Sequence, residues 1–176
     1  MKIGIVISTT RPSRIGHRVA GWIASQAPEG VTAEVVDLAE VALPFFADSA
    51  HPKLGRYTEP ATIAWAERVS GYDAMIFTVA EYNGGYPAPL KNAIDALYPE
   101  WNDLPVGVVG YGWGGAGRAV TALRPVLENI KAVRVDGPAL TFGTHLTPEG
   151  EFLTDARDLA VPALYADLAA RVPARV

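Results

Sequence analysis

Four largely apolar runs constrain this chain more than anything else in it: KIGIVIS (2–8), VTAEVVDL (31–38), DAMIFTVA (73–80) and LPVGVVGY (104–111). A strand that is apolar on both faces must be covered on both. Between the runs, apolar residues recur at helical spacing: Ile15, Val19, Trp22 and Ile23, then Ile63, Ala66 and Val69, then Leu90, Ile94 and Leu97. Thr58 is placed to cap the second of these helices with Pro60 in its first turn, and Pro87 and Pro89 suit the start of the third. AVRV (132–135) and PALTF (138–142) read as a fifth strand interrupted near Gly137. Residues 116–130 read as a helix that Pro125 kinks or divides. Ala156, Leu159, Ala160, Leu164 and Leu168 set a last helix, kinked at Pro162. Strand and helix alternate throughout. The pattern predicts an α/β fold with a doubly wound five-stranded parallel sheet, order 2-1-3-4-5, and helices on both faces.

The length, 176 residues, suits a single domain over 1–176, and no repeat, low-complexity tract or linker divides it. Apolar residues make up 49% and charged residues 19%, the balance of a globular protein. A net charge of -4 argues against a nucleic-acid partner, which requires a basic face. The chain has no cysteine, so disulfides, thiol catalysis and thiolate metal sites are excluded, and a cytoplasmic location fits. MKIGIVIS is too short to span a membrane and no small-residue cleavage site follows it, so it reads as the first buried strand. His17, His51 and His145 are dispersed and show no metal-binding spacing, so no metal is expected. There is no Walker loop and no GxSxG elbow, which speaks against triphosphate hydrolysis and the usual serine hydrolases.

In a sheet of this order, ligands bind beyond the carboxyl ends of the strands, where the loops after strands one, three and four meet. Those loops have unusual compositions. STTRPSRIGHR (8–18) carries Ser8, Thr9, Thr10, Arg11, Ser13 and Arg14 directly before a helix. Free N–H groups at a helix start, hydroxyls and guanidinium forks together make an anion site. In EYNGGYPAPLKNAID (81–95), Gly84 and Gly85 let the backbone approach a flat ligand, Asn83 tolerates a left-handed conformation, and Tyr82 or Tyr86 can lie against a ring. GYGWGGAGR (110–118) matches GxGxxG at Gly112, Gly114 and Gly117, with Asp136 about 20 residues on. Read literally it is a dinucleotide fingerprint; read with the other two loops it lines the same crevice, with Tyr111 or Trp113 stacking nearby.

With the three loops in view, the chain resembles the flavodoxin-like NAD(P)H-dependent FMN reductase family, which includes flavin-dependent quinone, chromate and azo-dye reductases. The most specific part is EYNGGYPAPLKNAID, similar to the family's P-E-Y-N-x-x-x-P-x-x-L-K-N-x-x-D signature, with Ala80 in place of the leading proline. STTRPSRIGHRVAGW resembles the family's phosphate loop, and YGWGGAG its third flavin-side loop. The resemblance implies noncovalent FMN, with its phosphate on Ser8, Thr10, Arg11, Arg14 and Gly16, and with Ile15 and His17 in the same stretch. The ring edge would meet Glu81, Tyr82, Asn83 and Gly84, with Tyr111 and Gly112 on the far side. It further implies NADPH or NADH as hydride donor, a small-molecule acceptor such as free flavin or quinone, and a homodimer or homotetramer. The chemistry belongs to the flavin, so no side chain is named as catalytic. Three other readings stand beside it: a non-enzymatic flavin electron carrier, a dinucleotide-binding protein using Gly112–Gly117 and Asp136, and a flavin-free relative acting as a binding protein.

Overall fold

The computed structural model describes residues 1–173, apart from the side chain of Arg157; the last three residues of the expected single domain lie outside the described residues. Five strands form one sheet: β1 (Lys2–Ile7), β2 (Thr32–Asp37), β3 (Ala74–Ala80), β4 (Pro105–Gly112) and β5 (Val133–Thr141). Every neighbouring pair is parallel and the order is β2-β1-β3-β4-β5, as the alternating pattern predicts. All of β3 and β4 is buried, which is why those runs contain no polar alternation. The edge strand β2 is only partly covered and keeps Thr32 and Glu34.

The helices are α1 (Gly16–Ala24), α2 (Leu38–Val41), α3 (Pro60–Ser70), α4 (Ala88–Asp95), α5 (Gly117–Asn129) and α6 (Val161–Ala169). On one face of the sheet α3, α4 and α5 bury Trp65, Val69, Leu90, Ile94, Leu123 and Leu127 against Phe77, Val79 and Val106. On the other, α1 and α6 bury Val19, Ile23, Leu164 and Leu168 against Ile3, Ile5 and Ile76. Each such side chain contributes about 1.5–3 kcal/mol of hydrophobic stabilisation. Among the described residues no helix is long and apolar enough to cross a membrane.

Several local expectations are corrected. Thr58 does not cap α3; its hydroxyl and backbone N–H both donate to Asp48 Oδ1 at 2.7 Å, and Glu59 holds the cap position. Ile63 lies outside the buried face of α3, which is Thr62, Trp65, Ala66 and Val69. Pro162 opens α6 rather than kinking a longer helix, because a short turn over Thr154–Asp158 ends before it. Pro125 sits inside an undivided α5, on its exposed side, where the carbonyl it cannot bond is that of exposed Thr121. The interruption of β5 is a bulge: Val108 pairs with Asp136 and Gly110 with Ala139, so Gly137 and Pro138 oppose Val109. Trp101, whose place after Tyr98 and Pro99 suggests a mouth or an interface, is fully buried between Trp65 and Phe77 and donates to the Ile94 carbonyl at 3.0 Å.

One close approach sets the shape of the loop after β4. A Cβ on Gly110 would stand 2.1 Å from the Gly115 carbonyl oxygen, so the loop folds down onto its own strand. Gly110→Ala is expected to destabilise the protein by about 3 kcal/mol or more, since the atom it strikes is backbone. Gly21→Ala, on the exposed side of α1 with nothing within 4 Å, is expected to stabilise by about 0.5–1 kcal/mol. Urea unfolding of the two variants beside the parent measures both; equal effects would contradict this account of the loop.

Candidate functional site

The carboxyl ends of β1, β3 and β4 open into a cavity of about 650 Å³. Its walls come from Arg11, Arg14 and Ile15 after β1, from Glu81, Tyr82 and Asn83 after β3, and from Tyr111, Gly112 and Trp113 at the end of β4. Ser13, Ala80, Arg118, Phe142 and Pro148 complete it.

The wall after β1 is cationic. Helix α1 starts at Gly16 with no side-chain cap and no acidic residue in its first turn. Its free N–H groups therefore present a partial positive charge at the opening of the helix. Arg14 is fixed from behind by Asp37 at the end of β2, Nη2 to Oδ2 at 2.6 Å, and its buried Nε has no partner among the described residues. Arg11 has no acidic partner among the described residues; its guanidinium lies 5.7 Å from the centre of the Tyr82 ring. Gly16 is demanded by packing: a Cβ there would meet Ile7 and Thr9 at 2.8 Å and the Tyr111 hydroxyl at 3.0 Å. Thr9 Oγ1 and Tyr111 Oη are themselves 3.3 Å apart. Burial pushes the Tyr111 phenol up to about 12, against a smaller opposing effect of the Thr9 hydrogen bond, so it stays neutral.

The wall after β3 is a tight hairpin turn. Tyr82 N–H donates to the Gly85 carbonyl at 2.9 Å, and Gly85 N–H returns the bond to Tyr82 at 3.0 Å. Asn83 and Gly84 between them have φ of 52° and 81°, the two left-handed positions that favour an Asn-Gly pair. Their own N–H groups have no partner among the described residues. The Glu81 carboxylate reaches the start of α5, accepting from Arg118 Nε at 2.7 Å and from the Arg118 and Ala119 backbone N–H groups at 3.1 and 3.4 Å. Desolvation opposes its ionisation, but the Arg118 side chain and these N–H groups outweigh that and hold its carboxyl below the ordinary range. Asn92, in the helix that follows, does not enter the cavity. It pins the loop after β2, accepting from Phe46 N–H at 3.0 Å and donating to the Pro44 carbonyl at 2.8 Å. Lys91 and Asp95 form an exposed i,i+4 ion pair.

The wall after β4 is a left-handed turn. Gly114, Gly115 and Ala116 have φ of 61°, 62° and 58° in succession. A Cβ on Gly115 would also strike Ala139 at 2.7 Å. The glycines of this loop are thus required to fold it against β4 and β5, whereas Gly117, the last of the apparent fingerprint, has an ordinary φ of −57° and open space around it. Asp136 lies five residues before the end of β5, roughly 16 Å down the strand, and pairs with Arg134. It cannot serve a ribose in the crevice, so the dinucleotide reading of Gly112–Gly117 loses its acidic partner.

Eight of the thirteen residues expected at the site line the cavity: Arg11, Arg14, Ile15, Glu81, Tyr82, Asn83, Tyr111 and Gly112. The other five do not. Ser8 is buried and its hydroxyl donates to the Thr78 carbonyl between β1 and β3. Gly16 packs beneath Tyr111, His17 points to solvent, Gly84 lies beside the Arg118 guanidinium, and Thr10 lines a neighbouring groove with Leu38, Leu43 and Phe45. The sequence reading missed Arg118, Phe142 and Pro148. An Arg opening the helix after a glycine loop, facing a Glu at the end of the preceding strand, was a signal for the first; the others had none. The arrangement suits a ligand with an anion at one end and a flat polar ring at the other. Among the described residues no cluster of His, Asp or Glu could hold a metal.

The NADPH-dependent FMN reductase family model matches residues 1–147. The chain belongs to this family. NAD(P)H-dependent FMN reductase LOT6 of Saccharomyces cerevisiae is 32% identical over 164 residues, covering 85% of this chain and 86% of the yeast protein. An NAD(P)H-dependent FMN reductase of Schizosaccharomyces pombe is 36% identical over 145 residues, covering 80% of this chain and 72% of its own length. In fold, the chain is similar to FerB, a flavoenzyme NAD(P)H:(acceptor) oxidoreductase from Paracoccus denitrificans, with a TM-score of 0.71, 22% identity and coverage of 97% and 94%. Within the family, the pair that joins the second and third loops here is Glu81–Arg118. Because its carboxyl is held below the ordinary value of 4.5, the pair's contribution is fully present above that pH and is lost as pH falls through the lowered value. Glu81→Gln is expected to lower the urea midpoint near neutral pH, with the gap to the parent closing as pH falls through the lowered value; a gap independent of pH would contradict the charge-based account.

Proposed function

We propose that the protein is an FMN-dependent oxidoreductase that takes a hydride from NADPH or NADH and passes electrons to a free flavin, a quinone or a related small acceptor. When bound, FMN would supply the hydride- and electron-transfer chemistry of the reaction. The observation that carries the reading is the meeting, in one cavity, of two arginines beside an uncapped, acid-free helix start and a turn whose Asn83 N–H group has no partner among the described residues. The first fits a phosphate and the second the polar edge of a flat ring.

In this reading Arg11 and Arg14 hold the phosphate with the N–H groups of α1, in the stretch Ser8–His17. Arg14 arrives already oriented by Asp37, so little side-chain freedom is lost on binding. The N–H group of Asn83 would donate to the ring edge and stabilise negative charge there. Neutral Tyr111 and Gly112 close the far side, and Gly16 keeps the floor open for the tyrosine. The family membership supports FMN and NAD(P)H, and a 2-hydroxy-1,4-benzoquinone reductase of Burkholderia, 27% identical over 150 residues, supports a quinone among the acceptors. The reading further includes one flavodoxin-like domain over 1–176, a cytoplasmic location suited to a cysteine-free chain, and a homodimer or homotetramer, for which the exposed Phe45 side chain offers an apolar contact.

The test is a visible spectrum of the purified protein before and after adding FMN and desalting. The parent is expected to retain yellow flavin bands, and an Arg11→Ala/Arg14→Ala variant is expected to bind FMN at least a hundredfold more weakly, on the order of 3 kcal/mol for two charge-assisted contacts. Anaerobic NADPH or NADH is expected to bleach the bands. Bands that persist would instead identify an electron carrier, and a protein that releases all added FMN would remove the cofactor reading.

A further inference from the structure

A second cavity, of about 580 Å³, lies against the first turns of α5. Glu81, Trp113, Gly114, Gly117, Arg118, Thr121 and Ala122 line it, and three of these, Glu81, Trp113 and Arg118, also line the first cavity. The two spaces therefore meet along one boundary, a size and arrangement suited to the two halves of an elongated ligand.

The boundary has a definite chemistry. Trp113 is 73% exposed, although it is large and apolar. Phe142 meets it edge-on, at 89° and 5.4 Å between ring centres, so a ring face stays open for stacking. The Arg118 side chain is 78% exposed and uses Nε and Nη2 on Glu81. Its Nη1 has no partner among the described residues, so donors of the fork remain free for an oxyanion. Thr121 donates its hydroxyl proton to the Gly117 carbonyl at 2.8 Å, which leaves its oxygen as an acceptor for an amino or hydroxyl group. The Glu81 carboxylate is neutralised by Arg118, so an anion can approach without meeting a bare negative charge.

A flat aromatic ring, a phosphate and a donor group together describe a phosphorylated adenine nucleotide. We propose that this second cavity binds the adenosine phosphate half of the nicotinamide dinucleotide, with adenine against Trp113 and a phosphate on the free donors of Arg118. The inference rests on the reductase reading above for its ligand, but not on the flavin site for its binding energy. The phosphate on Arg118 is either the 5′-phosphate common to NADH and NADPH or the 2′-phosphate of NADPH alone. In the second case Arg118 sets the preference between them.

The test is calorimetric titration of the purified protein with 5′-AMP and with 2′,5′-ADP, its flavin content read from the spectrum of the same sample. Arg118→Gln is expected to weaken binding about tenfold, the loss of one charge-assisted hydrogen bond, and Arg118→Lys to restore most of it. Trp113→Leu is expected to weaken both nucleotides equally. Arg118 is exposed, so these variants keep the fold. An Arg118→Gln loss confined to 2′,5′-ADP assigns the 2′-phosphate; an equal loss assigns the 5′-phosphate. A parent that binds neither nucleotide, or an Arg118→Gln variant that binds both as the parent does, overturns the proposal. A colourless protein with an Arg118-dependent nucleotide site would leave this inference standing and remove the flavin reading; a yellow protein that binds neither nucleotide would do the reverse.

Discussion

Coverage of a parallel sheet on both faces is the constraint from which the rest follows. With α3, α4 and α5 on one side and α1 and α6 on the other, the strand surfaces have no room for polar groups that must meet a ligand. Such groups can gather only at the strand ends. Because all five strands run the same way, the loops that leave β1, β3 and β4 converge, and the helices that follow begin at the same end. Three helix starts therefore compete for any anion. They are not equivalent: α5 already has the Glu81 carboxylate on its first N–H groups, and α4 enters through Pro87 with Pro89 in its first turn, which removes a donor. Only α1 combines free N–H groups, no nearby acid in its first turn and two arginines. The seat of a phosphate is thus decided by what neutralises the alternatives as much as by what attracts at α1.

Much of the fold was legible because burial on both faces leaves a one-dimensional trace. Runs such as AMIFTVA can be read as strands without knowing their neighbours. The inward faces of α1 and α4 were legible from helical spacing. The prolines were less so. Pro125 and Pro162 look alike in the sequence, yet one lies within α5 and the other begins α6. Which it is depends on where the preceding turn ends, and tertiary packing decides that. Trp101 shows the same limit: its position after Tyr98 and Pro99 suggests a mouth or an interface, but the turn folds it under α4.

The site was legible at the level of loops and less so at the level of side chains. Loop composition marked all three walls. A loop has no period, however, so nothing in STTRPSR says that Thr9 turns inward to Tyr111 while Thr10 turns outward. Ser8 is a related case: it is the first residue past β1, and its hydroxyl donates to the Thr78 carbonyl of the sheet. The GxGxxG match misled because it counts glycines without asking what each is for. Here Gly110 and Gly115 answer to contact and Gly112 and Gly114 to conformation, and two of these four lie outside the motif. The Glu81–Arg118 pair joins residues 37 apart in the chain and becomes visible only when the two loops are side by side.

The ionisation behaviour of the cavity bears on the class of reaction it can support. The two lining groups that are displaced move away from neutrality: the Glu81 carboxyl is held low and the Tyr111 phenol is pushed up to about 12. A general acid or base works best with a pKa near the operating pH, and neither group has one. The histidines are not placed to substitute for them. His17 faces solvent beyond the lining, His51 caps a short turn through Lys53 N–H, and the Nδ1 of His145 accepts the Thr141 backbone N–H at 2.9 Å. What the described residues offer instead is fixed charge, fixed dipoles and open ring faces. Those are the means to hold a phosphate, orient a flat ring and stabilise charge that arrives on it, which transfers of hydride or electrons require and which need no proton relay from the protein.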